Sequence, residues 1–371
     1  MDPRYQITDT SSIITPALVV FRELLDDNIR HMVEIAGDAS RLRPHCKTHK
    51  TAEIIKLQAA QGITKQKCAT FAEVEMVAEA GCRDIFLAYN VVGPNIARAV
   101  EFRRKFPDVT FSVTADHELP IAALSRAMAE AGTTIEVLLD VDTGQHRTGI
   151  ACGKRAQQLY RLIADSEGLI PGGFHVYDGH QHQQSRDERQ AAIDVEWAKV
   201  IAMRDALVAD GLPVPRIVAG GTASFPVYAA KDDPTIELSP GTCVYNDAGY
   251  TAAFPDLVFP PATALLTRVI SRPTENRITL DLGYKAIDSD APAGRRCQFP
   301  DLPDAVAVLQ NEEHLVLETE RAAEFQPGDI LLAIPKHICP TSALHKQVVV
   351  IAGGQVADRW NVVARARQLT I

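Results

Sequence analysis

Between residues 41 and 242 the chain repeats one unit: a short β-rich run, a turn, then an Ala-rich segment of helical periodicity. That alternation constrains the fold more than any other feature, because it is the pattern of a parallel sheet whose crossovers are helices. The β-rich runs fall at 42–47, 65–70, 84–90, 110–115, 135–141, 173–178, 216–221 and 236–242. Eight of them predict an α/β fold, a closed (β/α)8 TIM-type barrel. Between them, 71–80 and 188–209 carry apolar residues at helical spacing beside charged ones, as covering helices should.

With 371 residues the chain suits a barrel-sized domain and a smaller one. After about residue 254 the rhythm changes to alternating or apolar runs at 262–271, 277–282, 305–309, 314–318, 329–334, 347–351 and 355–362. The expected division is therefore 1–254, a barrel preceded by a strand at 15–21 and a helix at 22–36, and 255–371, a C-terminal β-rich domain. A net charge of −9 argues against nucleic acid or an anionic membrane as partner. The opening hexapeptide Met1-Asp2-Pro3-Arg4-Tyr5-Gln6 lacks a signal-peptide layout, and no apolar run has the length of a membrane span. The expectation is a cytoplasmic protein. Its seven dispersed cysteines favour thiols in a reducing compartment over a disulfide framework.

The segment Arg43-Pro44-His45-Cys46-Lys47-Thr48-His49-Lys50 places a lysine among histidines at the end of the first barrel run. Read as a strand, it puts Arg43, His45, Lys47 and His49 on one side. Lys47 is then a candidate Schiff-base amine and the only lysine expected at the mouth; the other reading of the octapeptide is a solvated strand end. Loops after the later strands collect polar residues at the same mouth: Asp142 to Gly149, Tyr177 to His182, Gly220 to Ser224 and Ser239 to Thr242. Consecutive glycines with hydroxyls suit a phosphate, and a phosphorylated cofactor that takes a lysine Schiff base is pyridoxal 5′-phosphate. Separately, His337-Ile338-Cys339 is an i, i+2 pair that Pro340 should hold extended, with imidazole and thiolate suited to zinc or a similar divalent ion.

These motifs, with Tyr177-Asp178-Gly179-His180, Gly220-Gly221-Thr222, Pro240-Gly241-Thr242 and His337-Ile338-Cys339-Pro340-Thr341, resemble the metal-dependent D-threonine aldolase and D-serine dehydratase group. Those are fold-type III pyridoxal phosphate enzymes related to alanine racemase. The resemblance implies that Lys47 carries the cofactor, Arg147 approaches its phenolic oxygen and Tyr177 lies against the pyridine ring. It implies a phosphate cup of Gly220, Gly221, Thr222, Gly241 and Thr242, and a zinc or manganese ion on His337 and Cys339. Ser239 stands where alanine racemases carry an arginine.

The reaction expected is a lyase reaction on D-β-hydroxy-α-amino acids, with His180, or else His182, as the base. Tyr177-Asp178-Gly179-His180 resembles the aldolase Y-E-G-H and favours cleavage to glycine and an aldehyde. The H-x-C form of the metal motif instead resembles the D-serine dehydratases, and the alternative is dehydration of D-serine or D-3-hydroxyaspartate to a 2-oxo acid and ammonia. An amino-acid racemase and a non-catalytic cofactor carrier are weaker readings. The resemblance also implies a homodimer.

Overall fold

The computed structural model describes residues 3–371, so Met1 and Asp2 of the opening hexapeptide lie outside the described residues. The chain forms two compact units. One comprises the described residues up to Met32, Thr48–Glu53 and Thr242–Ala366; the other comprises Val33–Lys47, Ile54–Gly241 and Arg367–Ile371. No helix among the described residues is long and apolar enough to cross a membrane.

The second of these units is the barrel. Its strands Lys65–Cys68, Asp84–Asn90, Thr110–Ala115, Ile135–Asp142, Leu169–Val176, Ile217–Ala219 and Ile236–Leu238 pair in that order, every pair parallel. Helices between them begin on side-chain caps where the sequence supplies one. Thr70 accepts from the Glu73 amide ahead of Phe71–Glu79, and Ser185 from the Glu188 amide ahead of Arg186–Ala209.

The first run closes the ring, although not as the regular strand expected over 42–47. Leu42 bridges Leu238 and His45 bridges Lys67, so the segment touches both edges of the sheet. The Arg43 and His45 amides donate to the Leu238 and Pro240 carbonyls, while the Pro44 carbonyl accepts from Lys67, each at 2.8 Å. Pro44 itself has no amide to give. At Cys46–Thr48 the chain turns into a 3-10 helix, and the strand-like alternation ends there.

Side chains pointing into the barrel follow from the two-residue pleat. Lys65, Asp84, Glu136 and Arg216 lie in one layer, and two residues on come Lys67, Phe86, Leu138 and Val218. The first layer is ionic: Arg43 Nη1 meets Asp84 at 2.8 Å, Arg43 Nε meets Glu237 at 2.5 Å, Lys65 meets the same Glu237 at 2.7 Å, and Arg216 pairs with Glu136. Arg43 is wholly buried. Above it Phe86, Leu138 and Val218 form a small apolar plug. Burial alone would raise the Glu237 carboxyl, but Arg43 and Lys65 overcome that and hold it at about 2.

In the other unit, a nine-stranded sheet runs Val306–Gln310, Leu315–Glu318, Arg277–Leu280, Thr263–Thr274, Ala17–Phe21, Gln347–Ala352, Gln355–Asn361, with Ile330–Pro335 and Cys297–Gln298 off this path. The N-terminal strand thus lies in this sheet, antiparallel to Thr263–Thr274 and parallel to Gln347–Ala352, whereas the sequence reading grouped it with the barrel. Its residues Ala-Leu-Val-Val-Phe are all buried, a composition that calls for neighbours on both edges. The helix Arg22–Ala36 follows it as expected.

Replacing Arg43 by Met leaves the partly buried Glu237 and Asp84 short of a cation, and should cost about 3 kcal/mol in urea unfolding at neutral pH. A carboxyl whose folded value lies below its ordinary 4.5 contributes fully above 4.5 and loses that contribution as pH falls toward 2. The stability difference between wild type and Arg43→Met should therefore shrink through that window.

Candidate active site

Tyr177 organises the barrel mouth. It follows the strand Leu169–Val176, and three cations approach its ring: Lys47 Nζ at 5.7 Å from the centroid, Lys67 Nζ at 5.6 Å and the Arg147 guanidinium carbon at 5.2 Å. Glycines make room for the ring on two sides. A Cβ on Gly179 would stand 2.5 Å from Tyr177, and one on Gly221 would stand 3.0 Å from it. Of the octapeptide, Arg43 serves the ionic layer and Lys47 the mouth. Cys46 faces away from them, 3.6 Å from the Cys68 sulfur. His49 is buried in the sheet-bearing unit beside Tyr245, and burial brings its imidazole down to about 3.

The loops expected to form a phosphate cup are tied together by hydroxyls. Ser224 donates to the buried Asp178 carboxylate at 2.7 Å and accepts from the Gly221 amide at 3.0 Å; Thr222 accepts from the Gly241 amide at 3.1 Å. The amides of Gly221 and Gly241 are therefore already engaged, and what these glycines provide is close approach. Gly220 has φ +73°, and a Cβ there would meet Ser224 Oγ at 2.6 Å. The Ser239 hydroxyl donates to the Arg43 carbonyl, bracing the closing segment. The Thr242 hydroxyl lies 3.7 Å from the Cys339 sulfur.

His180 is half-buried, against Gly144 of the loop after Ile135–Asp142. Its Nε2 lies 3.0 Å from the Gln181 carboxamide, while its buried Nδ1 has no partner. His182 is exposed. Deeper in the barrel, Asp140 and His175 pair at 2.8 Å, both buried.

The metal motif folds differently from the extended segment expected. His337 caps the helix Ile338–Leu344, so Cys339 and Pro340 lie in its first turn, where a proline's missing amide costs nothing. The pair nonetheless comes together: a hydrogen bond with Cys339, against the opposing effect of burial, raises the His337 imidazole to about 9, with Asp290 and Asp247 adding to it. Asp247, not the His337 side chain, accepts from the Ile338 amide, at 3.0 Å. Asp290 meets His337 Nδ1 at 3.0 Å, and ligand atoms of Asp288, Asp290 and His337 lie within 4.8 Å of one another. The Thr48 hydroxyl lies 3.2 Å from the Cys339 sulfur.

The mouth fits pyridoxal phosphate: a primary amine for its aldehyde, cations for its anionic oxygens, an aromatic face, and glycines whose added Cβ atoms would fill the cradle. At the other motif, Asp288 Oδ2 is buried without a partner beside the Asp290 carboxylate and the His337 imidazole, N and O donors that fit a divalent cation.

Residues 22–248 match the family model for the alanine racemase N-terminal domain, and residues 262–351 match a serine dehydratase domain model. A D-threonine aldolase of an Arthrobacter species is 32% identical over 95% of this chain and 92% of its own length. The chain belongs to the D-threonine aldolase family of alanine racemase-like proteins. A D-threo-3-hydroxyaspartate dehydratase of a Delftia species is 26% identical, covering 93% of this chain and 96% of that one. The crystal structure of D-threonine aldolase from Filomicrobium marinum superposes with a TM-score of 0.88 at 29% identity, over 95% of this chain and 96% of that one. Members of this family are pyridoxal phosphate-dependent lyases, and so is this chain.

Within this family site, one residue escaped the sequence reading and corrects it. Lys67 is 2% exposed and stands at the mouth with Lys47, so Lys47 is not the only lysine there. Its signal was the strand Lys65-Gln66-Lys67-Cys68 itself, since barrel strands covered on both faces ordinarily read as apolar runs. A Gly221→Val substitution would push on Tyr177 and should weaken cofactor retention about tenfold, ~1.4 kcal/mol, with little change in thermal unfolding. Equilibrium dialysis against the cofactor checks this, and unchanged affinity would remove that loop from the cradle.

Proposed function

We propose that the protein cleaves the Cα–Cβ bond of D-β-hydroxy-α-amino acids, giving glycine and an aldehyde, as a D-threonine aldolase does. The observation that carries the reading is the likeness to such an enzyme along 95% of the chain, with an amine, cations and an aromatic ring together at the barrel mouth. When bound, pyridoxal phosphate supplies an electron sink for the bond broken at Cα, and a divalent ion on His337 and Cys339 supplies a Lewis acid for the β-hydroxyl.

Lys47 holds the cofactor covalently and yields it to the substrate amine. Arg147 and Tyr177 orient the ring, and the loops at Gly220 to Ser224 and at Gly241 hold the phosphate. His180 is the base for the β-hydroxyl proton. The Gln181 carboxamide nitrogen, 3.0 Å from His180 Nε2, holds the ring in place. Asp290 holds the His337 ring by Nδ1, as a carboxylate beside a metal-binding imidazole does.

A second reading is favoured by one residue. Cys339 gives the H-x-C form, and with it a dehydratase in which Lys47 takes the Cα proton and the β-hydroxyl leaves, yielding a 2-oxo acid and ammonia. Product analysis on D-threonine, D-serine and D-3-hydroxyaspartate decides: glycine plus aldehyde is expected, and 2-oxo acid with ammonia would install the dehydratase. Turnover should be lost with chelator and restored by zinc or manganese. Cys339→Ala should keep its cofactor while losing most activity. His180→Asn should lower kcat by about 10²–10⁴ without disturbing cofactor loading.

A further inference from the structure

Lys65 and Lys67 project from the same face of one strand, yet their surroundings differ. Lys65 is the ordinary case of a partly buried lysine, its ammonium 2.7 Å from the Glu237 carboxylate. Lys67 is more deeply buried, and its side-chain amine makes no hydrogen bond to any described residue; it stands 5.6 Å from the Tyr177 ring centroid. Two carboxylates are near enough to feel its charge, Asp140 and Asp178, but the first is engaged by His175 and the second by Ser224. An amine taken from water in this way is costly unless an anion arrives to meet it.

The charges facing Lys67 identify that anion. Burial first, and then the charge on Lys47, bring the Lys67 amine down to about 7, with Arg147 acting in the same sense and Asp178 and Asp140 against it. Lys67 is thus electrostatically coupled to the amine proposed to hold the cofactor, and it shares the Tyr177 ring with that amine and with Arg147. In pyridoxal phosphate the carbon that a lysine attacks is ortho to the ring's phenolic oxygen. A cation close to the Lys47 amine is therefore close to the oxygen that carries the ring's negative charge.

We propose that Lys67 is a second cationic contact for the phenolic oxygen of the cofactor, acting with Arg147 from inside the barrel to keep that oxygen ionised. This rests on Lys47 as cofactor anchor and is independent of whether aldol cleavage or dehydration follows. Lys67 fixes the ring's charge before substrate arrives, so its effect is present in the resting, cofactor-loaded enzyme.

The test reads that enzyme without substrate. Removing a positive charge from beside the phenolate and the Lys47 nitrogen makes protonation there easier. Lys67→Met should therefore move the pH midpoint of the bound cofactor's visible absorbance upward by about one unit, equivalent to ~1.4 kcal/mol, and weaken cofactor binding about tenfold. Lys67→Arg should restore most of both effects. A cofactor analogue with hydrogen in place of the phenolic hydroxyl should bind wild type and Lys67→Met equally, which separates loss of this contact from general damage to the barrel. If Lys67→Met keeps the wild-type midpoint and cofactor affinity and only raises KM, the amine serves the substrate carboxylate and the proposal fails. It also fails if the analogue still distinguishes the two proteins. If borohydride fixes cofactor to Lys67, the anchor assignment falls, a result distinct from the failure of the contact.

Discussion

The barrel closes through four residues, and one buried guanidinium holds them. Leu42 to His45 is too short for a regular strand and carries a proline in its middle, so its backbone supplies only a few ladder bonds to each edge. Arg43 anchors it by reaching Glu237 on the last strand and Asp84 two strands beyond the seam. With that residue fixed, Lys47 is delivered to the mouth one turn later. The position of the Lys47 amine thus depends on charge pairing at the opposite end of the barrel interior.

That arrangement explains what the sequence could and could not disclose. The seven regular barrel strands and the helix Arg22–Ala36 were legible because periodicity over five or more residues, or a β-rich run bounded by turns, reports burial directly. The octapeptide was harder: its polar alternation imitates a strand, whereas Pro44 and the turn at Cys46–Thr48 end that geometry after His45. At His337-Ile338-Cys339 the rule that residues before proline avoid helix gave an extended segment. The first turn of a helix is the place where proline fits, and the cap that makes this turn possible is Asp247, ninety residues earlier in the chain.

Lys67 went unread for a different reason. A lysine in a four-residue strand looks like an edge or a solvated end until the strand is known to lie between two neighbours. Closure of the sheet, which no local window contains, is what turns it inward. Candidate site residues on loops were recognisable by composition, but the cation carried by a strand needed the topology.

The capping of the helix Ile338–Leu344 has an evolutionary consequence. Because Asp247 and not His337 receives the Ile338 amide, the imidazole has no part in holding the helix end. The proposed ligand pair is in that sense a detachable fitting: His337 and Cys339 can be exchanged for other donors, or surrendered altogether, while the element that presents them keeps its form. A lineage built on this frame can change the donors at the proposed metal site by single substitutions that leave the fold alone.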